Sequence, residues 1–403
     1  MNWLLPALAA LALAAWVYLL AARGGFWRAR ERLGAAPDRA EWPAVVAVVP
    51  ARNEADVIGR SIRSLLDQDY PGRLDIVLVD DHSRDATAEV AAETARAHPR
   101  GDRLTVHRAA PLPPGWVGKI WALAQGLGRA DAVSPGARFV WLTDADIEHE
   151  PRNLRRLVAK AEAESRALVS LMVLLSCEGF WERLLIPPFV FFFQKLYPFA
   201  WVNDAGRRTA AAAGGCVLLR RAALDAAGGL EAIRAEIIDD CALARRVKRA
   251  GPNASLWLGL TAEVRSIRPY GGLAGIWSMV ARSAYTQLGH SPWRLAGTVL
   301  GMGLVYLAPP LLALTYPLHG SATEAALGGL DWALMAFAIL PTRRLYGQPA
   351  RLAPLLPLAA LLYCAMTLDS ALAHRRGRGG AWKDRIQGNV PCGGNVPGES
   401  DMP

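Results

Sequence analysis

The chain has 403 residues, 52% of them hydrophobic, with a formal net charge of +9 and a mean hydropathy of +0.17. That length suits one large domain or two smaller ones, and the composition is too oily for an ordinary soluble enzyme. The five cysteines (Cys177, Cys216, Cys241, Cys364, Cys392) show no C-x-x-C, which argues against zinc or a disulfide framework. No basic helix with interleaved aromatics points to nucleic acid, so the positive charge fits an anionic membrane surface or phosphorylated ligands.

Residues 3–22 (WLLPALAALALAAWVYLLAA) form an uncharged apolar run about the length that spans a bilayer. No basic segment precedes it, whereas Arg23, Arg28, Arg30 and Arg32 come directly after. The pattern predicts an uncleaved anchor over 1–24 with its C-terminal side in the cytoplasm, rather than a signal peptide. A water-facing domain is expected over residues 40–290.

Val45–Val49 reads as a buried strand, followed by a helix with Val57, Ile58, Ile62, Leu65 and Leu66 at helical spacing and Pro71-Gly72 as its stop. Leu74–Val79 is a second strand, and Asp85 can cap a helix over 86–97. Leu104–His107 is a third. PLPPGWVGK is a loop, ahead of a helix from Ile120 to Arg129. Phe139–Thr143 is the fourth strand, Pro151 opens a helix, and Ala167–Val173 is the fifth strand. Strands alternating with helices imply an α/β domain with a mostly parallel sheet and right-handed crossovers. Ligands of such sheets bind beyond the carboxyl ends of the strands. His82, His107 and His149 stand alone and read as surface or turn residues rather than ligands.

The stretch 184–201 (LLIPPFVFFFQKLYPFAW) is apolar and aromatic, but its double proline and Gln194-Lys195 argue against a simple span. It reads as an interfacial helix that leads a lipid toward the site, or as a buried core helix. Apolar stretches near 297–317, 325–341 and 352–373 predict transmembrane or re-entrant helices over 296–374, with Pro309-Pro310 and Asp331 as irregularities. Arg343, Arg344 and Arg351 favour the cytoplasm, and so do Arg375, Arg376, Arg378 and Lys383. One span between the two groups cannot satisfy both, so the number of spans stays open. The tail 375–403 is basic, then flexible in composition.

No G-x-G-x-x-G follows the first strand and no G-x-x-x-x-G-K-[ST] occurs, which excludes a dinucleotide-binding dehydrogenase and a P-loop NTPase. Instead the expected strand ends carry acids: Glu54 after the first, Asp80 and Asp81 after the second, Asp144 and Asp146 after the fourth. A D-x-D alone is more often a solvated, helix-capping turn. Three acidic turns on one edge are hard to explain by capping. An acidic edge holds phosphates only through a divalent cation, and Mg²⁺ or Mn²⁺ binds through one or two carboxylates plus ligand oxygens.

VVPARNEADVIGRSIRSLLDQDYP, IVLVDDHSRDAT and WLTDADIE, in this order, resemble the family 2 glycosyltransferases of the Rossmann-like GT-A fold, over about residues 44–290. PPGWVGKIWAL, GGCVLLRRAAL, IIDDCALARRVKRAG and RSAYTQL, with flanking membrane segments, look closest to the hopanoid-associated branch. The resemblance implies a membrane enzyme that moves one sugar from a nucleotide diphosphate sugar, UDP-linked by expectation, to a lipid acceptor, with hopanoid biosynthesis as the expected setting. It implies a multi-pass protein of the inner membrane with a cytoplasmic catalytic domain. By the same resemblance Ala51 and Glu54 lie against base and ribose, Asp81 bonds uracil with Asp80 beside it, and Lys119 meets the phosphates. Asp144 and Asp146 are the metal-binding D-x-D, and Gly214-Gly215 lets donor or acceptor approach the backbone. IIDDCAL stands where many members show T-E-D, so Asp240 is the general base with Asp239 as the other candidate. Arg282 stands near the diphosphate-binding arginine of processive members, but no Trp follows it, which points to a single transfer. Transfer to a polyprenyl phosphate carrier, with Arg207 and Arg208 near the acceptor mouth, is the enzymatic alternative. A non-catalytic scaffold is the other, and the retained acids weigh against it.

Overall fold

The computed structural model describes residues 3–35, 39–251, 254–382 and 385–386. The flexible tail expected beyond Trp382, with Lys383 and Cys392, lies outside them apart from that last pair. The opening apolar run forms α1 (Leu4–Ala21), and the turn after it contains Gly24 and Gly25, both at positive φ. A Cβ on Gly24 would stand 2.8 Å from Trp201 Nε1 and 2.9 Å from Pro198 Cβ, so only glycine lets this turn close on the domain.

Then β1 (Val45–Ala51), α2 (Ala55–Leu66), β2 (Leu74–Asp80), α3 (Thr87–Arg96), β3 (Leu104–Arg108), α4 (Gly118–Val133) and β4 (Phe139–Leu142) alternate as the apolar pattern dictates. Alternation sorts each strand between two cores. Val46, Val48, Val77, Val79, Val140 and Leu142 face one, beneath α4, and Val45, Ala47, Val49, Ile76, Leu78, Phe139 and Trp141 face the other, beneath α2. With both faces covered, these strands read as continuous apolar runs rather than alternating ones. Asp85 serves two helices: its Oδ1 accepts from Thr87 N (3.2 Å) and its Oδ2 from Ala55 N (3.1 Å).

The chain continues through β5 (Ile147–Glu148), α5 (Asn153–Ala163), β6 (Leu168–Leu174), α6 (Phe180–Leu196), α7 (Phe199–Asn203), β7 (Val217–Arg220), α8 (Arg221–Ala226), α9 (Asp239–Arg249), β8 (Leu256–Ser266) and α10 (Leu273–Gln287). Pro151 sits in a turn, and α5 starts two residues later. The sheet order is β3-β2-β1-β4-β7-β6-β8-β5. The strands β3, β2, β1 and β4 are mutually parallel, and β6 runs parallel to β8, whereas β7 is antiparallel to β4 and β6, and β5 to β8. This is the expected mixed, mostly parallel sheet. The reversal at β7 has a consequence for the site: β7 begins at the edge where its neighbours end.

The continuous helix α6 contains both prolines. Pro187 has no N–H for the Arg183 carbonyl one turn back, and Arg343 Nη1 donates to that carbonyl at 3.3 Å. Leu184, Leu185, Ile186 and Val190 belong to the core under the sheet, while Phe191 joins Trp16, Phe26 and Tyr306. The middle of α6 is therefore a wedge between the sheet domain and the apolar helices, and its exposed ends are Phe180 and Leu196.

Those apolar helices are α11 (Pro292–Met302), a π-helical turn Gly303–Leu307, α12 (Ala308–Leu314), the short α13 (Tyr316–His319), α14 (Ala322–Leu345) and α15 (Leu356–Arg375). Counting α1, four helical stretches among the described residues are long and apolar enough to cross a membrane: Leu4–Ala21, Pro292–Leu314, Ala322–Leu345 and Ala350–Arg375. The π-helical turn precedes Pro309-Pro310, where missing N–H groups free carbonyls, and Trp16 Nε1 of α1 donates to Val305 O at 2.8 Å.

Candidate active site

Two turns at the carboxyl edge are joined by hydrogen bonds. After β1, Asn53 takes φ 52°, and after β2, His82 takes φ 55°. Asn53 N donates to Ser83 Oγ (3.0 Å), Glu54 N to Thr87 Oγ1 (2.8 Å) and Arg84 N to Asn53 Oδ1 (2.8 Å). Ala51 O accepts from Asp81 N at 2.8 Å, and Asp80 Oδ1 accepts from Ser83 N at 3.1 Å. Asp81 is 1% exposed, behind Arg52, whose Nη1 donates to the Asp81 carbonyl at 2.6 Å. Glu54 pairs with Arg268. Ala51, Glu54, Asp80 and Asp81 are thus brought together as one cluster.

A second cluster forms where β4 ends, β7 begins and α4 and α9 start. Lys119 belongs to the first turn of α4 rather than to a loop. Its Nζ stands 2.8 Å from Asp144 Oδ1 and 3.4 Å from Asp239 Oδ2. Burial lowers its pKa, but Asp144 and Asp239 outweigh that and hold it well above the ordinary lysine range, so the ammonium stays charged. Asp240 Oδ2 accepts from Gly214 N at 2.9 Å and Oδ1 from Cys241 N at 2.6 Å. Burial and then the neighbouring Asp239 push the Asp240 carboxyl up to about 6, against Lys119 and the two backbone N–H groups. Lys119, Asp144, Gly214, Asp239 and Asp240 line one small cavity of ≈ 20 Å³. A Cβ on Gly214 would stand 3.2 Å from Lys119 Nζ and 3.5 Å from Asp240 Oδ2. Glycine keeps the space between these two open.

The D-x-D does not continue the strand, because β4 ends at Leu142. Asp144 turns to Lys119, while Asp146 Oδ2 accepts from Ser266 Oγ at 2.7 Å. Burial first, then the Asp144 charge, raise the Asp146 pKa. Two carboxylates this close repel unless a cation lies between them. Among the described residues no three or more His, Cys, Asp or Glu side chains gather as an enclosing metal site. Asp144 and Asp146 fit a hard divalent ion that completes its shell with ligand oxygens.

Arg282, on α10, is half-buried and has no ion pair among the described residues. Burial first, then Asp146 and Glu182, raise the Tyr270 hydroxyl out of its ordinary range, and Arg282 opposes them, so Arg282 stands near enough to Tyr270 to act on its hydroxyl. Gly215 packs tightly, since a Cβ there would stand 3.0 Å from Val173 Cγ2. His149 is not at the surface as its sequence setting suggested. It is buried beside Trp141, its Nε2 2.9 Å from Thr143 Oγ1 and its Nδ1 3.1 Å from Asn153 Nδ2, with its pKa driven down to about 3 by burial.

Sequence reasoning missed β8 and the turn at its end. Ser266 reaches Asp146, Arg268 reaches Glu54, and Tyr270 N donates to Glu182 Oε1 at 2.8 Å, so one strand exit ties both clusters together. The signal was the polar RSIRPYGG after an apolar run, the same strand-then-turn pattern read elsewhere.

Residues 46–228 match the family model of glycosyl transferase family 2. A mannosyltransferase of Pyrobaculum calidifontis, solved with GDP-Man and Mn²⁺, is 20% identical, with 92% of this chain and 99% of that one covered at a TM-score of 0.58. That likeness shows the GT-A fold. TarS of S. aureus (residues 1–349) is 15% identical over 86% of this chain and 97% of that one, at a TM-score of 0.38. The M. tuberculosis glucosyl-3-phosphoglycerate synthase is 19% identical over 61% and 80%, at 0.39. No curated protein sequence matches the chain.

Proposed function

We propose that this family 2 domain transfers one sugar, with inversion, from a nucleotide diphosphate sugar to a membrane lipid. One observation carries the reading: a raised carboxylate, Asp240, stands across Gly214 from an ammonium, Lys119, anchored on the D-x-D. Such a transfer must neutralise a departing diphosphate and take a proton from an attacking hydroxyl. Lys119 and Arg282 are the cations for the first task, and one well-placed group contributes about 3–4 kcal/mol. Asp240 is the base for the second, typically about 10²–10⁴-fold in rate. Asp239 is less suited, because its Oδ2 is engaged by Lys119 Nζ at 3.4 Å. Asp144 and Asp146 would hold Mg²⁺ or Mn²⁺, which when bound supplies further charge neutralisation at the diphosphate. The Mn²⁺ and GDP-Man in the mannosyltransferase complex support this assignment. Ala51, Glu54, Asp80 and Asp81 would receive the nucleoside, and Gly214-Gly215 the sugar.

Four bilayer-length helices and Arg23, Arg28, Arg30 and Arg32 after the first support a membrane protein with its domain on the cytoplasmic side. A hopanoid is the neutral acceptor that the sequence resemblance implies. The test is a screen of UDP- and GDP-sugars in membranes containing the full chain, with Mg²⁺ or Mn²⁺, followed by lipid mass analysis. A sugar-sized mass gain on a lipid is expected. Donor turnover that leaves every lipid unchanged would refute the acceptor class.

A further inference from the structure

A half-open cavity of ≈ 450 Å³ lies along α9, beside the one that holds Asp240, and Ile233 lines both. Arg245, Arg246 and Arg249 stand in its wall, with Glu236 as the one acid there. None of these arginines has an ion pair among the described residues. The remaining lining is alanine and isoleucine, so the cavity has room but no aromatic ring on which a base could stack. Guanidinium forks with no carboxylate partner, above a floor of small side chains, match a phosphate oxyanion.

Helical geometry relates the two cavities. Asp239, Ala242, Arg246 and Arg249 form one stripe on α9, at i, i+3, i+7 and i+10. Arg246 is two turns beyond Asp239 on that stripe, about 10 Å along the axis, and helical side chains lean toward the N-terminus, so its guanidinium leans back along the stripe toward the end of α9 that carries Asp239 and the proposed base. A phosphate seated there stands roughly one headgroup away from the proposed base. A polyprenyl phosphate attacks through its own phosphate oxygen, which would have to lie at Asp240 instead. On the other flank of α9, Lys248 Nζ donates to the carbonyls of Val202 (2.8 Å), Asp204 (2.9 Å) and Thr209 (2.8 Å). Next to that segment the Arg23 guanidinium, just after α1, lies over the Trp201 ring. The cavity helix is thus fastened to the end of the first apolar helix, where lipid headgroups are within reach.

We infer that the Arg245–Arg246–Arg249 cavity receives the phosphodiester of a phospholipid acceptor whose headgroup carries a free hydroxyl. This rests on the proposed transfer to a lipid and puts an anionic phospholipid in place of the neutral hopanoid as the acceptor. The headgroup oxygen bonds to the anomeric carbon, the bond from that carbon to the diphosphate oxygen breaks with its electron pair leaving on the diphosphate, and the hydroxyl proton passes to Asp240. The products are a glycosylated phospholipid and a nucleoside diphosphate.

The test places the full chain in phosphatidylcholine nanodiscs doped with phosphatidylglycerol or with diacylglycerol, which offers a hydroxyl without phosphate. Wild type should use phosphatidylglycerol in preference. Arg246→Gln/Arg249→Gln, at two exposed positions, should raise its apparent KM about tenfold or more, because hydrogen bonds to charged groups are lost. Diacylglycerol kinetics and nucleoside diphosphate binding should not change, and inorganic phosphate should compete with phosphatidylglycerol in wild type alone. Unchanged phosphatidylglycerol kinetics in the variant, equal use of diacylglycerol by wild type, or phosphate that binds without competing would overturn the inference. Donor binding with neither lipid glycosylated would overturn it too. A chain that binds no nucleoside diphosphate fails the catalytic reading instead.

Discussion

Replacing Lys119 with methionine keeps the length of the side chain and removes its charge. Lys119 Nζ and Asp240 Oδ2 both lie within 3.5 Å of the Cβ position of Gly214, and so are no more than about 7 Å apart. At an effective dielectric constant of about 20 that separation is worth roughly 2.4 kcal/mol, or close to two pH units on a carboxylate. Lys119 retains 21% exposure, so one to two units, roughly, is the expected range after screening. The sign is fixed: loss of a positive neighbour raises a carboxyl pKa, and Asp239, freed of its partner, pushes the same way. The acid limb of kcat/KM, expected near 6 in the wild type if Asp240 is the base as proposed, should move to about 7–8. Through the base alone, activity at neutral pH should fall about two- to tenfold and recover by about pH 9. A pH-independent loss of up to about 10²–10³-fold is expected on top, from the missing diphosphate contact. The assay is the pH profile of kcat/KM for the donor at saturating acceptor. An acid limb that stays in place or moves down would mean that Lys119 does not set the charge state of the base.

Asp240→Asn keeps an oxygen for Gly214 N–H but cannot take a proton; transfer should fall about 10²–10⁴-fold while nucleotide binding, followed by calorimetry, is retained. Full activity in this variant would move the base to Asp239. Excess EDTA should abolish transfer and Mn²⁺ restore it, because Asp144 and Asp146 otherwise repel; activity undiminished in EDTA would remove the metal from the mechanism. Gly126→Ala places a Cβ 2.3 Å from Val48 Cγ1 and 2.9 Å from Val79 Cγ2, where α4 meets β1 and β2. Overpacking there should cost about 1–3 kcal/mol, seen as a lower Tm. An unchanged Tm would mean that helix and sheet separate without cost.

The acids of the carboxyl edge were legible because each comes after an apolar run that can be nothing but a strand in a two-faced core. The pairing of Lys119 with Asp144 and Asp239 was not. These residues are far apart in sequence, and adjacency depends on how α4 and α9 approach the edge. His149 was misjudged for a related reason. Its neighbours in sequence are polar, but its partners Thr143, Asn153 and Trp141 enclose it only after β4 and α5 have packed.

By itself the sequence determined the alternation of strand and helix, the apolar segments at both ends and the order of the acidic turns, since these arise from local periodicity and composition. Tertiary structure alone decided that β7 runs backwards, which carries Gly214 to the edge where Asp144 emerges, and that β8 delivers Ser266 and Arg268 to acids more than a hundred residues earlier. Strand direction and long-range charge pairing are settled by which surfaces bury together, and no local stretch of sequence contains that information.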